Sequence, residues 1–212
     1  MTKESSVLNH KASGTALVIC APSGTGKTTL IQRLRKEFPC FAYSISCTTR
    51  PPRKNEEDGK DYYFISQEEF IARKNEKYFA EWAYVHGYFY GTPLAPILTI
   101  LNNGQDILFD IDVQGAAQLY LTLPYAKYIF LLPPTMVELE KRLRSRGTDR
   151  EDIIQHRLLS ATQEIRQAHW FDTWIVNENI DKAYDELRAT YLASKLSPKF
   201  QPTLITSILE GW

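Results

Sequence analysis

The consecutive residues Ala21-Pro22-Ser23-Gly24-Thr25-Gly26-Lys27-Thr28 carry the clearest chemistry in the sequence. They follow the Walker A pattern G-x-x-x-x-G-K-[ST], with alanine where the first glycine stands. Glycines in such a turn let successive backbone N–H groups curl around phosphate oxygens, and the positive end of the following helix points at the same anion. Lys27 would then bridge the β- and γ-phosphates of a nucleotide, and the Thr28 hydroxyl would ligate Mg²⁺. By itself the segment also reads as an ordinary Gly-rich turn. A strand before it, a helix after it and Lys-Thr in register favour the phosphate site. Ala21 weakens the match only if its position needs a positive φ. Asp110 ends the apolar run Ile107-Leu108-Phe109, the place for a carboxylate directed at Mg²⁺. The competing reading of Asp110 is a strand-end cap for the next helix.

A sheet and helices must position these residues. Leu17-Val18-Ile19-Cys20 is short, apolar and uninterrupted, as a buried parallel strand is. Leu30, Ile31 and Leu34 recur at helical spacing and predict a helix from Thr28 to Phe38. Tyr43 to Cys47 is a second strand candidate, followed by a charged, proline-rich loop from Arg50 to Asp61. Ser66 with Glu69 forms a capping box that starts a helix. Tyr78 to Tyr90 is aromatic and strand-like. Thr92-Pro93 predicts a cap with proline in the first turn, opening a helix to about Asn103. Asp106 to Ile111 and Ala126 to Leu132 are further strands. Thr135 with Glu138 predicts a helix ending at Gly147, and a longer one runs from about Asp149 to Ala168. Thr173 to Val176 is the last strand, with Asp181 expected to cap a helix to Ser194. This alternation indicates an α/β fold with three layers on a central parallel sheet. A smaller strand-rich insertion interrupts it over residues 43–96.

Composition narrows function from the other side. In 212 residues, 25 Lys and Arg balance 25 Asp and Glu, so the formal net charge is zero. That balance argues against sequence-independent nucleic-acid binding, which rests on excess positive charge. Apolar runs such as Ala16 to Cys20 and Tyr128 to Leu132 are far too short to cross a bilayer. Residues 1–13 are polar and lack the apolar stretch of a signal peptide. Cys20, Cys40 and Cys47 cannot all pair and form no C-x-x-C motif. A cytoplasmic protein with no membrane association is expected.

Five further segments occur in order: Ser46-Cys47-Thr48-Thr49-Arg50-Pro51-Pro52-Arg53, Gly59-Lys60-Asp61-Tyr62, Glu81-Trp82-Ala83, Tyr90-Gly91-Thr92 and Asp110-Ile111-Asp112-Val113-Gln114-Gly115. With the phosphate loop, this series resembles the guanylate kinases, P-loop nucleoside monophosphate kinases that phosphorylate GMP, over about residues 14–195. The resemblance implies a single domain with core segments at about 14–42, 97–135 and 170–195. It places a GMP-binding subdomain at about 43–96 and a helical lid at about 136–169, leaving 1–13 and 196–212 as terminal extensions. It also implies Mg²⁺-dependent transfer of the ATP γ-phosphoryl group to GMP, or dGMP, giving ADP and GDP for purine nucleotide metabolism.

The residues make chemical sense in those roles. Ala21 through Thr28, with Thr29, would hold ATP. Arg50 and Arg53 supply two guanidinium groups for a dianionic phosphate, and Tyr62 and Tyr90 add hydroxyl donors. Glu81 as a carboxylate accepts from guanine N1–H and the 2-amino group together. Adenine has an acceptor at N1 and no 2-amino group, and would leave that charge unpaired. In the family, Ser46 and Thr92 contact the base edge and Asp112 completes the guanine pocket. Arg142 and Arg146 stand four apart on one helix face, with Arg157 one helix later, and the family's lid arginines fold over the ATP phosphates. Taken singly, these residues have ordinary readings: a solvated arginine pair, core tyrosines, a solvent-facing glutamate, an exposed salt-bridged helix. Their joint order favours the site.

Lys27, Arg50, Arg142, Arg146 and Arg157 are the expected catalytic group. The GMP phosphate oxygen is already an anionic nucleophile, so no general base is assigned, and His86 and His169 receive no role. Two other functions remain: a P-loop kinase for another small acceptor, and a scaffold domain that keeps the fold as a protein-interaction surface. Glu81 with Asp112 argues against the first, and Lys27, Thr28, Asp110 and the lid arginines against the second. No obligate protein partner is expected.

Overall fold

The apolar run Ala16–Cys20 forms β1, buried along its whole length at the centre of a parallel sheet. The computed structural model describes residues 14–42, 44–85, 87–145, 150–201 and 204–210. After β1 come α1 (Lys27–Glu37), β2 (Cys47–Thr48), β3 (Tyr63–Phe64), α2 (Gln67–Asn75), β4 (Phe79–Val85), β5 (Tyr88–Pro93) and α3 (Leu94–Asn102). The chain continues through β6 (Ile107–Asp110), α4 (Val113–Thr122), β7 (Lys127–Leu132), α5 (Met136–Ser145) and α6 (Glu151–Arg166). It finishes with β8 (Thr173–Val176), α7 (Ile180–Lys195) and α8 (Leu204–Glu210).

The main sheet has the order β6-β1-β7-β8, all parallel. Strand periodicity divides its side chains between two cores. Val18, Phe109, Tyr128 and Phe130 face α3 and α4, packing on Ile97, Leu101, Val113, Ala116 and Leu119. Leu17, Ile19, Leu108 and Ile129 face α1 and α7, packing on Leu30, Leu34, Leu187 and Tyr191. Helices on both faces of a parallel sheet give the expected three layers. A second sheet, β3-β2-β5-β4, is built from residues between α1 and α3. Its small core stacks the Phe70 ring between Phe79 and Phe89, at centroid distances of 4.4 and 5.0 Å.

Local signals were read correctly at two helix starts. Ser66 Oγ accepts the Glu69 N–H at 3.1 Å, and Thr135 Oγ1 accepts the Glu138 N–H at 3.0 Å. Three details differ from expectation. The second strand is only Cys47–Thr48, with Tyr43 outside the described residues. Thr48 ends it, because its hydroxyl accepts the Arg50 N–H and closes the turn. Thr92 lies within β5 and makes no cap for α3, whose N-cap position is Pro93; its hydroxyl is turned to Glu81 and Ser46, away from the first turn of the helix. Asn179, not Asp181, caps α7: Asn179 Oδ1 accepts the Asp181 and Lys182 N–H groups, while Asp181 pairs with Arg33 at 2.7 Å. The described part of α5 ends at Ser145, and Gly147 and Asp149 lie outside the described residues. Among the described residues, no helix is long and apolar enough to cross a membrane.

One buried carboxylate ties the chain ends of the main sheet together. Asp106 is only 4% exposed. It accepts the Thr15 N–H at 2.7 Å, the Tyr191 hydroxyl and the Lys195 ammonium. Asp106→Ala leaves the buried Thr15 N–H and Tyr191 hydroxyl unpaired and is expected to cost about 3 kcal/mol. Urea unfolding would show it as a lower midpoint with an unchanged slope.

Candidate active site

The turn from β1 into α1 depends on two glycines in the left-handed region, Gly24 at φ 92° and Gly26 at φ 96°. Ala21 has no such requirement: Lys77 is the only non-glycine residue with positive φ among those described. Its methyl group packs into the core beneath α1. Gly26 is further constrained by Asn177, whose Nδ2 would lie 2.5 Å from an added Cβ. That amide, buried at the end of β8, donates to the Thr25 carbonyl at 2.7 Å. Gly24 lets Leu139 and Leu143 of α5 close on the loop. Pro22 is buried, whereas Ser23, Thr28 and Thr29 are exposed.

Parallel pairing sets Ile19 of β1 opposite Asp110 of β6. The loop after β1 and the carboxylate at the end of β6 therefore emerge side by side. Lys27 Nζ stands 2.6 Å from Asp110 Oδ1 and donates to the Ile111 carbonyl at 3.2 Å. The capping role considered for Asp110 belongs to Asp112, whose Oδ1 accepts the Gly115 N–H at 2.7 Å and starts α4. Thr28 and Asp110 line a cleft of about 270 Å³ that also includes Ser46 and Thr92.

Glu81 is 8% exposed on β4. It accepts the Thr92 hydroxyl, and because that uses the one Thr92 proton, Ser46 donates to Thr92 at 3.1 Å. Burial pushes the Glu81 carboxyl up, the Asp112 charge adds to this, and the Thr92 hydrogen bonds oppose it. Gly115 leaves room for the pair: a Cβ there would meet Glu81 Oε2 at 3.0 Å.

Arg50 is held on three sides. Its Nε donates to the Tyr90 hydroxyl at 3.2 Å, Nη1 to the Pro51 carbonyl at 2.8 Å, and Nη2 to both oxygens of Glu56 at 2.8 and 2.9 Å. The guanidinium also lies 5.6 Å from the centre of the Tyr62 ring. Glu56 was not anticipated, although a carboxylate three residues after Arg53 is a visible signal. It also accepts the Arg53 N–H at 2.8 Å, and the Arg50 hydrogen bonds hold its pKa below the usual carboxylate range. The Arg53 side chain is exposed.

The arginines of the two helices after β7 are placed differently from one another. Arg157 donates to Ser23 Oγ in the phosphate loop at 3.2 Å. Arg142 donates to Glu138 at 2.9 Å and to the Asn177 carbonyl at 3.0 Å. Arg144 faces away and joins Glu140 to Glu151. Arg146 lies outside the described residues. Asn177, which the sequence reading missed, thus touches both the phosphate loop and α5. Glu164 of α6 was also missed; burial and the nearby Asp112 charge push it up to about 6, with Lys27 opposing.

The geometry gathers a glycine-rich loop at the start of α1, a buried carboxylate with a second, exposed one near it, and an arginine–tyrosine cluster, and comparison with known proteins agrees with it. Residues 13–194 match a family model described as guanylate kinase. The chain belongs to the guanylate kinase family. It is 58% identical over 200 residues to the guanylate kinase of Oleidesulfovibrio alaskensis, spanning 94% of this chain and 97% of that one. With the guanylate kinase of Nitratidesulfovibrio vulgaris it shares 54% identity over 205 residues, spanning 97% and 99% of the two chains. The crystal structure of guanylate kinase from Anaplasma phagocytophilum superposes with a TM-score of 0.65 at 32% identity, covering 89% of this chain and 90% of that one.

The departure of this guanylate kinase family member from the glycine pattern therefore brings no backbone strain at Ala21. Ala21→Gly removes a buried methyl and frees the unfolded chain, at an expected cost of about 1–2 kcal/mol, with turnover within about twofold of the parent. Gly26→Ala collides with Asn177 at a φ that alanine avoids, and is expected to lower turnover by at least about 100-fold. Thermal melting and steady-state rates on the two variants check both statements.

Proposed function

We propose that the chain transfers the γ-phosphoryl group of ATP to GMP, and also to dGMP, giving ADP and GDP. The observation that carries this reading is the buried Glu81 carboxylate near Asp112, hydrogen-bonded to the Thr92 hydroxyl, which lines a cleft with Thr28 and Asp110. A carboxylate so placed suits guanine, whose N1–H and 2-amino group both donate. A base with an acceptor at N1 would leave a buried charge facing a lone pair, which is how polar sites discriminate strongly.

Each further residue has a task. Gly24, Gly26 and Lys27 cradle the ATP phosphates at the N-terminus of α1, together with the backbone of Ala21 through Thr29. Arg50, Arg53, Tyr62 and Tyr90 hold the GMP phosphate, whose anionic oxygen attacks the γ-phosphorus without a general base. Ser46 and Thr92 complete the hydrogen-bond chain behind Glu81 and meet the base edge. Arg157, already at Ser23, with Arg142 and Arg146, closes over the transferring group and excludes water. Positioning and charge neutralisation supply the rate, because the transition state is largely dissociative.

Mg²⁺ fits the donors present. Thr28 and Asp110 offer hard oxygens in one cleft, and no group of three or more His, Cys, Asp or Glu among the described residues is arranged to cage a metal. That suits an ion bound mainly by nucleotide phosphates and water, held by one or two protein oxygens. When bound, the ion neutralises charge on the phosphates during transfer.

A coupled assay with ATP, Mg²⁺ and a panel of nucleoside monophosphates tests the proposal. GMP and dGMP should turn over and adenosine, cytidine and uridine monophosphates should not; no turnover with GMP would overturn the reading. Lys27→Ala should lower kcat by about 100- to 1,000-fold, as for the loss of one preorganised donor at a developing charge.

The Glu81 reading also has a pH signature. Its carboxyl accepts both guanine donors only when ionised, and its pKa is raised by burial, so KM for GMP should climb as pH falls through a range above that of ordinary carboxylates. Glu81→Gln should reduce kcat/KM for GMP by about 1,000-fold and abolish that limb, leaving KM for ATP unchanged. A variant that keeps the wild-type pH dependence would remove Glu81 from base recognition.

A further inference from the structure

After its Asp112 cap, α4 carries Gly115, Gln118 and Thr122, at spacings of three and four residues that share one helix face. This face meets β4, an edge strand of the second sheet. The Gln118 amide pairs with the Trp82 peptide in both directions: Oε1 accepts the Trp82 N–H at 3.1 Å, and Nε2 donates to the Trp82 carbonyl at 2.8 Å. Thr122 Oγ1 shares its one proton between the Ala80 carbonyl at 3.2 Å and the Leu119 carbonyl of its own helix at 3.0 Å. Side chains of α4 thus stand where a further strand would bond the edge. Glu81 lies between the two gripped residues.

We infer that Gln118 is a specificity-determining positioning residue: it sets the register of β4 against α4, and so the spacing of Glu81 from Asp112. The inference rests on the GMP reading above. Apolar contact between Ala80 and the Ala116–Leu119 side of α4 holds the two elements together. Such contact is non-directional and fixes no register. A two-way amide–peptide pair is directional and fixes it to within a few tenths of an ångström. Asp112 is built into the start of α4, whereas Glu81 arrives on a separate strand from the second sheet. Without the Gln118 grip, Glu81 can slide relative to Asp112 while the phosphate loop stays in place. Misplacements of about 1 Å are enough to cost a reacting or recognising group much of its effect. Gln118 itself touches neither phosphate loop nor arginine cluster.

Kinetics with GMP and with inosine monophosphate, which keeps N1–H and lacks the 2-amino group, test this. Gln118→Met, close in volume and without the amide, should raise KM for GMP about tenfold and lower the GMP to inosine monophosphate ratio of kcat/KM by at least about fivefold. KM for ATP should stay within about twofold. The ratio is measured on one preparation, so a smaller folded fraction cancels from it. An unchanged ratio, or equal rises in KM for GMP and ATP, would reduce Gln118 to a structural role. If Gln118→Met does not fold, Gln118→Glu, which keeps an acceptor for the Trp82 N–H and loses the donor to its carbonyl, is read in the same way: a lowered ratio supports the inference, an unchanged one overturns it. A wild-type protein with no preference for GMP would defeat the proposed function instead.

Discussion

The pairing of Ile19 with Asp110 across β1 and β6 is the constraint on which the rest of the site depends. A slip by one residue would turn every side chain of β6 to the opposite core. Phe109 would leave the α3–α4 face and Leu108 the α1–α7 face, so the two cores hold the register far more firmly than any polar contact does. The short Lys27–Asp110 ion pair follows from that pairing. It is half exposed and adds little stability. Its value is geometric, since it aims an ammonium and a carboxylate into one cleft at the carboxyl ends of the strands, where open α/β sheets place their ligands.

A second constraint runs through Glu81. A buried carboxylate is costly without partners. The fold offers it the Thr92 hydroxyl, backed by Ser46, and sets Asp112 nearby, which makes the ionised state harder to hold. Asp112 has a structural task as the cap of α4, but its charge near the buried Glu81 carboxyl works against the two being ionised together. Under the proposed function the two carboxylates suit a ligand edge that presents several donors, as guanine does. Under that proposal, destabilisation in the free protein is converted into discrimination, because a base that cannot donate leaves the charge as it was.

Legibility in the sequence followed the range of the interactions. The phosphate loop, the Ser66 and Thr135 caps and the alternation of strands and helices rest on neighbours within four residues, and all were readable. Asp110 and Asp112 were readable as carboxylates, but which of them caps α4 depends on where the strand ends in space. Thr92 has the type and place of a cap, but β5 runs on through Pro93 and turns its hydroxyl toward Glu81 on another strand. Asp181 looked like a cap because Asn179, two residues earlier, was not weighed. Asn177 and Gln118 were missed for a common reason: each binds backbone atoms of a distant segment, and backbone leaves no mark in the residue pattern. Glu56 was the avoidable omission, since it sits inside the arginine loop itself.

The Arg50–Glu56 pair shows why such omissions matter for chemistry. A guanidinium has five N–H donors in one rigid plane. In this fold the plane is set by Glu56 on one edge, the Pro51 carbonyl on another and the Tyr90 hydroxyl at Nε, with Tyr62 close by. Glu56 keeps its charge well into the acidic range because Arg50 holds its pKa down. An exposed arginine must give up side-chain freedom when it meets an anion. Arg50 has already lost most of that freedom through intramolecular contacts, and Arg53, tethered through its N–H to the same carboxylate, is brought alongside. The negative charge of Glu56 weakens the local positive field, so the arrangement trades raw attraction for preorganisation. Under the proposed function, in which these arginines meet a dianion that must be aimed in line at a second phosphate, orientation is the scarcer quantity.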